Sequence, residues 1–384
     1  MPPSPFNEER HSGVDGGPAM AEPLYVPVLP TRRDAWNAYA HLELGVRQRI
    51  APLWTVVPRV GPERPRGTPL APDPDNDREG LHHWLTLRLD HVINVMAGLT
   101  GWVDTAHVES LLDASAPSLW RLTTGSSLRL VTGPERDPAL QRYAADLAFL
   151  SGRGLGIRVL LDDAPDEPLS TRLLTLIDRL RLPPSRLDLL LDAGSAEDGD
   201  DTGKRALAAL GLLAALVPWR TVVLTSGAFP RAPRHLDAQP AQVLRRHDWH
   251  LRRSVREARP DALNSVVYGD YSVEHVCSAN IASVQRPGPP WGLLRYTTPD
   301  SFLIARAPTR GRDRASRVRA MARWITENDA FRDAGAISAC VGERWLHACA
   351  YGDGRDGSGN AETWIRVGHT QHMNFIVQQL ARTA

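Results

Sequence analysis

The sequence predicts an α/β fold, a (β/α)8 TIM-like barrel with a C-terminal β-hairpin plus helical elaboration. Three observations carry this. Short apolar runs alternate eight times with stretches of helical spacing, which implies parallel strands joined by crossover helices. The alternation occupies roughly the 250 residues typical of such barrels. Polar residues collect where the runs stop, as in Asn264–His275, whose apolar part ends at Gly269 and is followed by Asp270, Tyr271, Glu274 and His275. An open doubly wound sheet is the alternative architecture.

The elements follow in order. Leu24–Leu29 reads as a first buried strand, and Arg32–Ile50 as a helix with Trp36, Tyr39, Leu42, Val46 and Ile50 at helical spacing. Ala51–Val57 is a second strand, closed by Pro58. Arg59–Asp77, dense in Pro, Gly and Asp, reads as a lid or a disordered insert. Gly80–Leu99 is helical, Gly101–Ala106 a strand, Glu109–Trp120 a helix and Ser127–Val131 a strand. Leu140–Leu150 is the next helix, Gly156–Leu161 the fifth strand, Leu169–Leu180 a helix and Arg186–Leu191 the sixth strand. Lys204–Leu216, Thr221–Thr225 and Gln239–Glu257 read as helix, strand and helix, and the run before Asp270 supplies the eighth strand. Beyond it, Gly292–Thr297 and Ser301–Arg306 alternate as a hairpin around Thr298–Asp300. Helices are expected at Asp313–Ala330, Arg344–Ala350 and Ala361–Ala381. The expected organisation is a disordered extension over 1–21, a barrel over 22–280 and an elaboration over 281–384 packed on it.

Composition narrows the function classes. The 384 residues are 42% hydrophobic and carry a formal charge of +1, enough for a large core and without a basic stripe for duplex DNA. Nucleic acid is therefore an unexpected partner. Cys277, Cys340 and Cys349 form an odd, sparse set with no CxxC pair, which argues against disulfides and zinc and for a cytoplasmic protein. No stretch approaches the roughly 20 apolar residues of a membrane span.

In a barrel, residues just past the strand C-termini converge on one mouth. That rule brings together Asp104, Arg136 with Asp137, Asp162 with Asp163, Asp192, Ser226, and Asp270 with Tyr271. So many carboxylates need a raised pKa, arginines such as Arg136, or a divalent cation such as Mg²⁺. Asp270, Tyr271, Asp192 and Asp104 are the catalytic candidates, with Asp270 as general base or metal ligand and Tyr271 as donor to an oxyanion. The competing role for each aspartate is to cap the following helix or turn. Ser226, Gly227 and Phe229 follow the seventh strand, where backbone N–H groups often bind phosphate, although a tight turn accounts for them equally. Arg295 could clamp an anion. His369 and His372 share a helical face, but HExxH is absent and a zinc site needs further ligands. One is expected in the core and the other at the mouth.

Several segments resemble the Beta protein family of phages and prophages. They are Tyr25–Leu29, Leu44–Leu53, Gly227–Pro230, Tyr268–Tyr271 with His275, Leu294–Thr297, and Gly359-Asn360 with Thr363–His369 and His372. Family members tend to carry a carboxylate at the end of the second strand, where this chain has Thr55–Val57, and a lysine after the first, where it has Pro30. The resemblance implies a role in phage or mobile-element conflict, as immunity to or control of a toxic phage function. Binding of a phage- or toxin-related protein or a small phosphorylated ligand at the mouth is the first expectation. The alternative is a Mg²⁺-assisted hydrolase or lyase of a phosphorylated or nucleotide substrate.

Overall fold

The computed structural model describes residues 23–59, 78–109, 112–196, 199–231, 241–260, 266–280, 291–308, 310–352 and 357–383. The expected extension over 1–21 and all but the first residue of the expected lid lie outside these.

Eight parallel strands close into a barrel. They are β1 (Tyr25–Pro30), β2 (Leu53–Thr55), β3 (Gly101–Asp104), β4 (Leu128–Thr132), β5 (Leu155–Leu160), β6 (Leu187–Ser195), β7 (Thr221–Gly227) and β9 (Val266–Asp270), which pairs back to β1. The crossovers carry α1 (Arg33–Ala40), α2 (Leu44–Arg47), α3 (Arg78–Met96), α4 (Leu112–Gly125), α5 (Pro138–Ser151), α6 (Glu167–Leu180), α7 (Gly199–Leu212) and α8 (His247–Ala258). Helix starts follow local chemistry. Asp137 and Asp166 accept from Ala139 N and Leu169 N at the starts of α5 and α6, each with proline in the first turn.

Two expected helices differ. Arg32–Ile50 is split into α1 and α2, because Glu43 is extended (φ −62°, ψ 148°) and restarts the turn. Gln239–Glu257 is not one helix: Ala241–Arg245 is strand β8, followed by α8. Its adjacent apolar pair Val243 and Leu244 suits either period, and pairing with a distant strand decides for extended structure.

Strand parity sorts the wall. Val26, Val28, Leu53, Trp102, Val131, Leu190, Val223 and Val267 fill the barrel interior. Tyr25, Leu29, Trp54, Val103, Leu130, Leu189, Leu224 and Tyr268 point outward into the helix layer. The N-terminal end of the interior is closed by a charged plug. Asp188 accepts from Arg129 Nη1 (2.6 Å), Arg220 Nη2 (2.5 Å) and Trp102 Nε1 (2.8 Å).

Beyond the barrel, β10 (Trp291–Thr297) and β11 (Ser301–Pro308) form the expected hairpin. With β8 they make an antiparallel sheet in the order β10-β11-β8. Helices α9 (Arg314–Thr326) and α10 (Val341–Tyr351) share a second core with β10 and β11. Helix α11 (Ala361–Ala381) begins at an Asn360 cap and is buried along most of its length, with α1 and β1 on one side and β10 and α10 on the other. Among the described residues no helix is long and apolar enough to cross a membrane, and all three cysteines are free.

Candidate functional site: an arginine-centred barrel mouth

A cavity of about 540 Å³ opens at the C-terminal ends of β2 to β6. Its floor is organised by Arg158, an inward-facing residue of β5. Arg158 Nη1 donates to Asp104 Oδ2 (2.7 Å), and Nη2 to Asp192 Oδ2 (2.5 Å) and to the Tyr271 hydroxyl (2.7 Å). The Tyr271 hydroxyl in turn donates to Asp192 Oδ2 (2.5 Å). Arg136 extends the network, donating to Asp104 Oδ1 (2.9 Å) and Glu109 Oε1 (2.8 Å).

The electrostatics follow from these contacts. Burial pushes the Asp104 carboxyl up, but Arg136 and Arg158 outweigh it and hold the pKa at about 2. Burial pushes the Tyr271 phenol well above its ordinary value, with Asp192 adding and Arg158 opposing. Tyr271 therefore remains a neutral donor. Both inner carboxylates keep a turn-closing role as well: Asp104 Oδ1 accepts from Ala106 N and Asp192 Oδ1 from Gly194 N, each at 3.0 Å. The capping and site roles expected as alternatives thus coexist: Asp192 divides them between its two oxygens, and Asp104 Oδ1 serves both Ala106 N and Arg136. Asp137 only caps α5.

The mouth does not gather every expected residue. Asp104, Arg136, Asp162, Asp163, Asp192 and Tyr271 line it. Asp270 does not, contrary to the expectation that it faces the same concavity as Tyr271. It lies one residue earlier on β9, and alternation turns it outward, onto α11. There it accepts from the Tyr25 hydroxyl, the Tyr268 hydroxyl (3.0 Å) and Ser272 N (2.8 Å), and meets His372 Nε2 at 3.0 Å. His372 Nδ1 lies 2.8 Å from Thr297 Oγ1, so this buried network ties the barrel to the added sheet. Burial raises the Asp270 pKa, yet the His372 imidazole, the Tyr25 hydroxyl and the Arg246 guanidinium hold it below the ordinary value.

The other candidates lie behind the mouth wall or beside it. Ser226 is buried and pairs in register with Asp270. Gly227 allows a close approach: a Cβ there would stand 2.5 Å from Val276 Cγ1 and 3.2 Å from Tyr271 Cδ2. Phe229 packs edge-on against Phe302 and under the Arg295 guanidinium, 5.3 Å from its ring. His369 is fully buried, its Nδ1 2.8 Å from Ser272 Oγ and its Nε2 3.5 Å from Glu274 Oε2, while Arg32 clasps Glu274 at 2.7 Å. Both expected histidines are therefore interior, and neither lines the cavity.

Glu135, Asp166 and Arg172 on the rim escaped the sequence candidates, as did two residues deeper in the mouth, Arg158 and Thr55. Arg158 carried a signal: a charged residue in the middle of an apolar strand, Gly156–Leu161, is out of place unless paired. Thr55 entered only as a departure from a family tendency. It is 2% exposed, lines the cavity, and its hydroxyl has no hydrogen-bond partner.

The donor set does not suit a divalent cation. Arg158 stands between Asp104 and Asp192 and occupies the oxygens such an ion would need. Among the described residues no group of three or more His, Cys, Asp or Glu is placed to hold a metal ion.

The sequence model of the Beta protein family matches residues 25–378, nearly the whole chain and the entire barrel with its added sheet. The chain belongs to the Beta protein family. No match is found among curated proteins. In this Beta protein family member the segments of family resemblance fall on both sides of the wall, at the Asp270–His372 network and at Gly227 behind Tyr271.

Proposed function

We propose that this Beta protein family member is a cytoplasmic recognition protein. It binds a ligand in the barrel mouth without turning it over, in the phage or mobile-element conflict that the family resemblance implies. The observation that carries the reading is the commitment of Arg158 to Asp104, Asp192 and Tyr271. Carboxylates held in charge-assisted hydrogen bonds form a rigid, preorganised floor. Asp104, held at about 2, is a poor general base, and the neutral Tyr271 phenol does not gain basicity. A Mg²⁺-assisted hydrolase needs carboxylate oxygens that face one ion, and those of Asp104 and Asp192 face a guanidinium instead.

The test fills the mouth without touching its floor. Ala164 lines the cavity and is exposed, so Ala164→Trp occludes it with little threat to folding. Cells carrying the wild-type gene are expected to alter the plating of a challenging phage or the maintenance of a mobile element, and cells with Ala164→Trp to lose that effect. Full activity in a folded Ala164→Trp protein sinks the mouth as the functional site. Recovery of a bound ligand in chemically altered form would replace recognition by catalysis.

A further inference from the structure

The sign of the mouth's charge bears on what it holds. Six carboxylates line the cavity (Asp104, Glu135, Asp162, Asp163, Asp166 and Asp192) against three guanidiniums, those of Arg136, Arg158 and Arg172. Each guanidinium already faces an acid: Arg158 faces Asp104 and Asp192, Arg136 faces Asp104 and Glu109, and Arg172 lies 3.3 Å from Glu135. No arginine in the lining is free for a phosphate, and the carboxylate excess repels one. Asp162 and Asp163, just past β5, are exposed, and their carboxylates have no hydrogen-bond or ion-pair partner among the described residues. A concave acidic wall of this kind focuses a negative potential into the cavity.

An acidic rim alone selects nothing, and two further features define the occupant. The Thr55 hydroxyl, buried in the lining and unpartnered, is a hydrogen-bonding group that lacks its mate. Leu160, Leu169 and Val276 supply apolar wall beside the acids, which suits a carbon skeleton and offers nothing to a bare metal ion. We propose that the mouth binds a small organic cation, a molecule bearing an amine or guanidine, with its charge against Asp162 and Asp163 and a hydrogen-bonding group on the Thr55 hydroxyl. The inference rests on the mouth being the functional site, and it replaces the phosphorylated ligand expected from sequence with one of opposite charge.

Isothermal titration of the full chain separates the possibilities, with agmatine, putrescine and spermidine as cationic probes and inorganic phosphate, AMP and MgCl2 as the contrast. At least one amine is expected to bind, more weakly as salt rises. The exposed double substitution Asp162→Asn/Asp163→Asn should weaken that amine by about tenfold with an unchanged unfolding midpoint. Thr55→Val should weaken it separately, and Ala164→Trp should abolish it. Binding of phosphate or AMP in place of the amines, lost in Ala164→Trp, overturns the cation and leaves the mouth standing. Silence from every amine also overturns it; the phage challenge with Ala164→Trp then decides independently whether the mouth reading falls too.

Discussion

Asp270 and Tyr271 are consecutive residues whose side chains lie on opposite sides of the barrel wall. The Asp270 carboxylate meets His372 Nε2 at 3.0 Å in the helix layer, while the Tyr271 hydroxyl donates to Asp192 at 2.5 Å above the barrel interior. Their substitutions should therefore separate. Asp270→Ala strands the Tyr25 hydroxyl and His372 Nε2 without their acceptor, while Tyr268 keeps Asp248 at 2.6 Å, and should cost roughly 3–5 kcal/mol of stability. Its effect on binding at the mouth should be small once the protein is folded. Tyr271→Phe removes one hydrogen bond pair and should cost only about 1 kcal/mol, with a measurable change in mouth affinity. Urea denaturation beside calorimetric titration reads both. Equal stability of Asp270→Ala and wild type would contradict the structural role.

Parity marks where the sequence was legible and where it was not. Apolar runs located all eight barrel strands, because strands of a parallel barrel are buried on both faces and read as continuous. That same continuity hides which residue faces in. The expected pooling of Asp270 with Tyr271 ignored the alternation that only register fixes. Strand β8 was hidden for another reason: it is an edge strand, its partner β11 lies some 60 residues on, and nothing local distinguishes it from the first turn of α8. Arg158 was legible in principle, since Arg129 and Asp188 break their strands in the same way and are likewise ion-paired.

Acid should loosen the barrel through Asp104 and Glu274. Asp104 moves from the ordinary 3.8 to about 2 on folding, where Arg136 and Arg158 outweigh burial, and Glu274 from 4.5 to about 2, where Arg32 and His369 do so. A carboxylate whose pKa is lower in the folded state binds fewer protons there than when unfolded. Its contribution is present in full above the unfolded value and is lost as pH falls through the folded one. The window is thus about pH 4.5 down to 2, and the contributions are on the order of 2 kcal/mol for Asp104 and 3 kcal/mol for Glu274. Denaturation midpoints followed across that window should fall steeply, and Asp104→Asn should flatten part of the slope. A midpoint independent of pH between 5 and 2 would contradict the ion pairing.

Arg158 should tolerate no replacement well, yet its variants should differ. Arg158→Lys keeps a charge but cannot reach Asp104, Asp192 and Tyr271 together from one fork, so a loss of about 1–2 kcal/mol is expected. Arg158→Met leaves Asp104 and Asp192 facing each other with Arg136 as the remaining counter-charge, and should cost about 3–5 kcal/mol at neutral pH. Protonation relieves that repulsion, so Arg158→Met should lose less relative to wild type at pH 4 than at pH 7. The comparison of the two pH values is the check; an equal loss at both would mean that packing, not charge, is what Arg158 supplies.

Gly227 couples the seventh strand to the mouth from behind. A Cβ at that position would press on Val276 and on the Tyr271 ring, and both side chains line the cavity. Gly227→Ala should therefore cost about 1–3 kcal/mol by overpacking and displace the Tyr271 hydroxyl from Arg158 and Asp192. The displacement has its own signature. If Gly227→Ala acts on the mouth through Tyr271, it should weaken ligand binding in the wild-type background and add little to a protein already carrying Tyr271→Phe. A double-mutant cycle on affinity measures this: strong non-additivity is expected, and simple additivity would mean that Gly227 and the Tyr271 hydroxyl act on the mouth separately.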